Sequence, residues 1–140
     1  MARQAEAEWK GDLKAGTGRV KLGSGDYEGN YSFSTRFENG KGANPEELAG
    51  AALAGCFSMA LANSLATAGF TATSIHTVAD VHVGKDDKGF LVTRIDLTVD
   101  GVVPNVDEAT YQEWVEKTRT GCIMARALAA TPITAKVTLR

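Results

Sequence analysis

Cys56 and Cys122 are the only two thiols in the 140 residues. A thiol can attack an electrophile, bind a soft metal or form a disulfide, and the thiolate is the species that does each. Their spacing narrows the choice. There is no CxxC pair, so neither a zinc cluster nor a thioredoxin-type motif is indicated. In a reducing compartment, two thiols far apart in sequence are either buried filling or a transient redox couple. Each directly follows a glycine, Gly55 and Gly121. A glycine there can end one helix and let another begin, aiming backbone N–H groups at the sulfur. Arg36, a charge at the end of a mild segment, is a cation that could hold the anion. The ordinary role of a free cysteine argues the other way, because it usually packs as a small hydrophobe. The stretch "LAGCFSMAL" reads mostly as core, with Phe57, Met59 and Leu61 facing inward.

The elements that must position these residues are legible as patterns. The first forty residues read as strands: "AEAEWKG", "GRVKLGSG" and "GNYSFSTRF", the last carrying Arg36. "ANPEELAGAALAGCFSMALANSLATAGF" reads as helix. Asn44 is its cap, Pro45 takes the first helical position, Glu47 completes a capping box and Gly69 is the stop. It is small or apolar nearly all round, which predicts burial on every side. "TSIHTVADVHVG" and "FLVTRIDLTVDGVV" form a hairpin about "DDKG". "NVDEATYQEWVEKTRTG" is an amphipathic helix capped by Asp107, a short helical piece opens at Cys122, and "TPITAKVTLR" is a closing strand. This order describes one α+β domain over residues 1–140.

Composition limits the function classes. Apolar residues are 44% and charged residues 23%, with net charge −2, so no basic surface for nucleic acid is expected. The N-terminal residues lack the apolar run of a secretory signal, and a cytoplasmic location is the expectation. Leu48 to Ala79 contains no Lys, Arg, Asp or Glu, long enough to ask about a membrane span. Its Ala, Gly, Ser and Thr content, with Asn63 and Ser64 in the middle, points to close packing inside protein instead. His76, Asp80 and His82 share one strand face, which reads as a solvated polar face rather than a metal site. Tyr111 and Trp114 read as core or interface, Met59 and Met124 as gap-filling, and Glu47 as a cap rather than a second acid.

"NPEELAGAALAGCFSMAL", Asn44 to Leu61, closely resembles the first cysteine motif of the OsmC/Ohr family of organic hydroperoxide reductases, and the resemblance extends along the whole chain. After the second cysteine this chain carries Ile123, Met124 and Ala125 where the family commonly has Pro, a small or apolar residue and Ser. The resemblance implies an OsmC-like α+β fold, a curved antiparallel sheet packed on a long buried helix in an intertwined homodimer. It implies a cysteine-based peroxidase of oxidative and osmotic stress defence, without metal or organic cofactor. Cys56 would be the peroxidatic cysteine and Cys122 the resolving one. Arg36 would hold the thiolate, and Glu46 would hold Arg36 through a planar two-point contact. Arg36 lying shortly before the cysteine helix is the arrangement of the OsmC branch. The implied partners are an organic hydroperoxide substrate and a thiol, dithiol or lipoyl-type reductant as co-substrate, with no nucleic acid and no membrane.

One geometric consequence follows. Glu46 and Cys56 are ten residues apart, about 15 Å along the axis of a straight helix. Sharing one site therefore predicts a helix break near Ala54–Cys56, with a long buried helix beginning at the cysteine; an unbroken helix from Pro45 to Ala68 would sink the Glu46 assignment. Two other readings stay open: a binding or carrier protein for small apolar molecules with incidental thiols, and an acyl-transferring cysteine, which lacks a histidine base in a motif near Cys56.

Overall fold

Glycine decides how the first strands meet. In the computed structural model, which describes all 140 residues, Gly18 stands in register between Trp9 and Tyr31 of the flanking strands. The two rings lie 5.5 Å apart, and a Cβ on Gly18 would come within 2.4 Å of the Tyr31 ring. Strands β1 (Ala5–Lys10), β2 (Thr17–Leu22) and β3 (Glu28–Tyr31) form an antiparallel sheet in that order. The chain divides into two compact units, Met1–Leu48 and Ala49–Arg140, and this sheet belongs to the first.

The third strand stops earlier than its alternation suggests. Phe33–Phe37 is a short helix, α1, closed by a reciprocal capping box. The Ser32 hydroxyl accepts from the Thr35 N–H at 3.2 Å, and the Ser32 N–H donates to Thr35 Oγ1 at 2.9 Å. The same Ser-x-x-Thr letters fit a strand by alternation and a helix start by capping. Capping satisfies two otherwise orphaned groups locally, and it wins here. Arg36 therefore sits in the last turn of a helix, not on a strand.

α2 (Pro45–Thr67) is a single helix of 23 residues. Asn44 Oδ1 accepts the Glu47 N–H at 2.7 Å, as its capping role requires. The expected break near Ala54–Cys56 is absent. Gly55 is an ordinary helical residue with no atom within 4 Å of where a Cβ would stand. One interior glycine costs a helix about 1 kcal/mol, too little to break a long helix held by packing.

In the second unit, α2 is buried along one stripe, Leu53, Phe57, Leu61 and Leu65, each with no exposed surface. These join Ile95, Leu97 and Val99 of the strand Gly89–Val102 and Tyr111 and Val115 of the helix Glu108–Gly121 in one core. Full burial of such side chains contributes about 1.5–3 kcal/mol each. A Cβ at Gly50 would stand 3.1 Å from the Val81 side chain, so glycine permits the close approach there, and Ser58 Oγ donates to Thr77 Oγ1 at 2.8 Å. Burial on every side is not found. Met59 is 75% exposed rather than core or gap-filler, and Ala51, Ala52, Gly55 and Ala66 are exposed beside it. By length and composition α2 could cross a membrane, but its Leu53–Leu65 stripe is the centre of this core.

The remaining elements follow their patterns closely. β4 (Ser74–Asp86) and β5 (Gly89–Val102) form the expected antiparallel hairpin, with a bulge between His82 and Val83. Asp86 Oδ1 accepts the Lys88 and Gly89 N–H groups in its turn. α3 (Glu108–Gly121) is capped by Asp107, α4 is Ile123–Ala127, and β6 is Ile133–Leu139. β6 pairs with β5 in parallel, because the chain returns over the helical connection rather than through a tight turn. The α+β class expected from the element order is what the chain adopts, as two three-stranded sheets with helices.

Candidate functional site

The first unit builds a cation–carboxylate pair. Arg36 Nε and Nη2 donate to Glu46 Oε1 at 2.8 and 2.6 Å. Both donors converge on one oxygen, so the contact is forked rather than the two-oxygen clasp expected. Glu46 is only 15% exposed against 42% for Arg36, so the carboxylate is the anchored member. Asn44 ties the two elements from a second side, donating Nδ2–H to the Thr35 carbonyl at 3.2 Å. The Arg36 guanidinium also lies 5.3 Å from the centre of the Phe37 ring. Its Nη1 end stays outside the pair with Glu46 and can serve an anion.

The second unit brings the thiols together. Cys56 lies in the middle of α2, not at a helix start as expected. Cys122 is the residue at the helix junction: its N–H donates to the Thr118 carbonyl at 3.1 Å, ending α3, and its extended backbone opens α4. The Cys122 sulfur accepts the Ala125 N–H at 3.4 Å. One residue earlier, the Met124 N–H donates to the Cys56 sulfur, also at 3.4 Å. Both thiols are free. Burial pushes the Cys122 thiol above its ordinary pKa, the Cys56 thiol beside it adds to the rise, and the Ala125 and Met124 amides oppose it. Adjacent amides of one short turn are thus directed at a half-buried thiol and a buried one, and a donor aimed at sulfur favours its thiolate form.

The expected residues thus appear as two pairs, Arg36 with Glu46 and Cys56 with Cys122. α2 runs unbroken through Gly55, so the bend on which the expected role of Glu46 depended does not occur. The Met124 amide escaped the sequence reading. A backbone donor carries no residue-type signal, and only the helix start after Gly121-Cys122 hinted at it. His82 Nε2 lies 2.8 Å from Asp96 Oδ2 without a hydrogen bond between them, Arg94 and Thr134 donate to Asp96, and the Arg94 hydrogen bond does most to hold that carboxyl below its usual range. This is a paired polar face, and no group of three or more His, Cys, Asp or Glu is placed to hold a metal ion.

Comparison with known proteins gives a consistent assignment. The model of the OsmC-like protein family matches residues 38–138, which takes in Glu46 and both cysteines and begins just after Arg36. The peroxiredoxin OsmC of Escherichia coli (strain K12) is 47% identical over 129 residues, 91% of this chain and 90% of that protein. An OsmC-like protein of unknown function from Vibrio cholerae has the same fold, with TM-score 0.78 at 17% identity over 99% of both chains. The organic hydroperoxide resistance protein OhrB of Bacillus subtilis gives 0.68 at 21% identity over 98% of both chains. On the family match and the close relative together, the chain belongs to the OsmC-like family.

Proposed function

We propose that this chain is a peroxiredoxin-like enzyme that reduces organic hydroperoxides to alcohols, with Cys56 as peroxidatic and Cys122 as resolving cysteine. The carrying observation is that adjacent amides of one turn, those of Met124 and Ala125, reach the Cys56 and Cys122 sulfurs. The Cys56 thiolate attacks the outer peroxide oxygen, the O–O bond breaks, and the alkoxide leaves and takes up a proton as alcohol. Cys56 is then a sulfenic acid. Cys122 attacks it, forming the disulfide and releasing water, which protects Cys56 from irreversible oxidation. A thiol, dithiol or lipoyl-type reductant restores both thiols by exchange and is itself oxidised to a disulfide. A cytoplasmic setting would keep the resting pair reduced. No prosthetic group takes part.

Arg36 would stabilise the thiolate and the charge developing on the leaving oxygen, held by Glu46. With α2 unbroken, that role is read across two copies: the Arg36–Glu46 pair of one chain would serve Cys56 of its partner in a homodimer, each copy being one OsmC-like domain over residues 1–140. The exposed apolar face of α2 around Met59 supports such an association. The apolar-carrier alternative has less support, because the cavities of about 370 and 440 Å³ on the first sheet are lined by charged side chains such as Glu8, Arg19 and Lys21.

The test is to treat the reduced protein with one equivalent of an alkyl hydroperoxide and map disulfides by mass. A Cys56–Cys122 bond, absent in Cys56→Ser, is expected. Two untouched thiols would refute the mechanism. Mixing Cys56→Ser and Glu46→Ala chains restores one intact site per mixed dimer if the Arg36–Glu46 pair acts across chains. No recovery would remove that part of the proposal.

A further inference from the structure

We infer that Cys122, besides resolving the sulfenic acid, is a positioning residue for the first step: as the cap of α4 it sets the Met124 amide against the Cys56 sulfur. The inference rests on Cys56 being the nucleophile. Cys122 is the N-cap of α4, with φ −66° and ψ 155°, and its sulfur takes the Ala125 N–H at 3.4 Å. Cys122 and Ala125 are 4% and 3% exposed, so water cannot replace the sulfur as acceptor, and a buried amide without one is strongly disfavoured.

The same turn carries the Met124 N–H, 3.4 Å from Cys56 Sγ. α4 has only five residues, and besides the cap its ends are closed by the Arg126 N–H to the Cys122 carbonyl and the Leu128 N–H to the Met124 carbonyl, each at 3.0 Å. Removing the cap frees the turn and with it the amide that faces Cys56. A hydrogen bond to the anionic sulfur stabilises the thiolate more than the thiol. The residue at 122 therefore tunes Cys56 before any disulfide forms. Serine would cap this helix better than cysteine, whose sulfur is a weak acceptor. A thiol is the group that can both cap the turn and resolve the sulfenic acid.

The experiment separates the two jobs. Cys122→Ser keeps a capping side chain and Cys122→Ala removes it, and both abolish the disulfide. The rate of Cys56 alkylation by iodoacetamide is followed against pH and mapped by mass, with circular dichroism and thermal melts confirming the fold. In Cys122→Ala, which loosens the Met124 amide from the Cys56 sulfur, alkylation near neutrality falls about tenfold. Cys122→Ser stays close to wild type. Equal behaviour of the two variants, whether both unchanged or both slowed, overturns the inference. Formation of Cys56 sulfenic acid with an alkyl hydroperoxide is measured separately. If it fails in wild type while the alkylation pattern holds, the peroxidase reading falls and the positioning role stands.

Discussion

Tyr111 offers the sharpest physical prediction, because its ring locks α3, the helix that ends at Cys122, onto β5. The side chain is fully buried, and its hydroxyl has no hydrogen-bond partner. It stacks over Gly101, where an added Cβ would stand 2.2 Å from Oη, 2.7 Å from Cζ and 3.0 Å from Cε2. A buried, unpaired hydroxyl costs about 1–3 kcal/mol. Tyr111→Phe keeps the ring and removes that cost, so it should stabilise the protein by about 1 kcal/mol, a rise in melting temperature of roughly 3 °C. Gly101→Ala should cost about 1–3 kcal/mol, since the ring has no free space to retreat into. In the double variant the atom at 2.2 Å is gone but the ring carbon at 2.7 Å remains. The rescue is therefore partial, a coupling of about 1 kcal/mol. Burial, and then the Asp100 charge, raise the Tyr111 pKa. The folded state thus favours the neutral phenol over its anion, so stability holds below the ordinary tyrosine range and falls as pH climbs through the raised value. Tyr111→Phe should not show that alkaline loss. Urea titrations with unchanged slopes measure all of this. A loss of 1 kcal/mol or more in Tyr111→Phe, with no coupling to Gly101→Ala, would refute the reasoning and mean that the hydroxyl is bonded.

Glu46→Ala should lower kcat/KM for an alkyl hydroperoxide about 10- to 100-fold by releasing Arg36, with Glu46→Gln milder because it keeps an acceptor. Steady-state peroxidase rates equal to wild type would remove the pair from the mechanism. Because burial holds Cys122 as a thiol, the disulfide-forming step after peroxide addition should quicken by up to about tenfold per pH unit from about pH 7 to about pH 9. Stability runs opposite: the thiol form stabilises the fold below the ordinary thiol range, and that contribution fades as pH rises through the raised value. Rapid-quench mass analysis that finds a pH-independent step would contradict the burial argument.

Much of this protein is written locally, and that part was readable without coordinates. The β4–β5 hairpin, the Asp107 cap of α3 and the Asn44 cap of α2 each depend on neighbours within a few residues. The motif around Cys56 likewise pointed to the family and to both cysteines. Where two local rules competed, the letters alone did not decide. Ser32–Phe37 satisfies alternation and a capping box equally well, and the helix prevailed. Gly55 could have broken α2, but the Leu53–Leu65 stripe packed on the sheet outweighs the small intrinsic cost of one glycine. Met59 looked like core because hydrophobicity does not say which face of a helix finds a neighbour within its own chain. The convergence of Cys56 with Cys122 and the Met124 amide joins residues far apart in sequence through backbone geometry. Local pattern therefore supplied the two candidate thiols and most of the elements. Tertiary structure decided which amides face those atoms and which helix faces stay exposed, because such contacts depend on packing between distant segments rather than on local pattern.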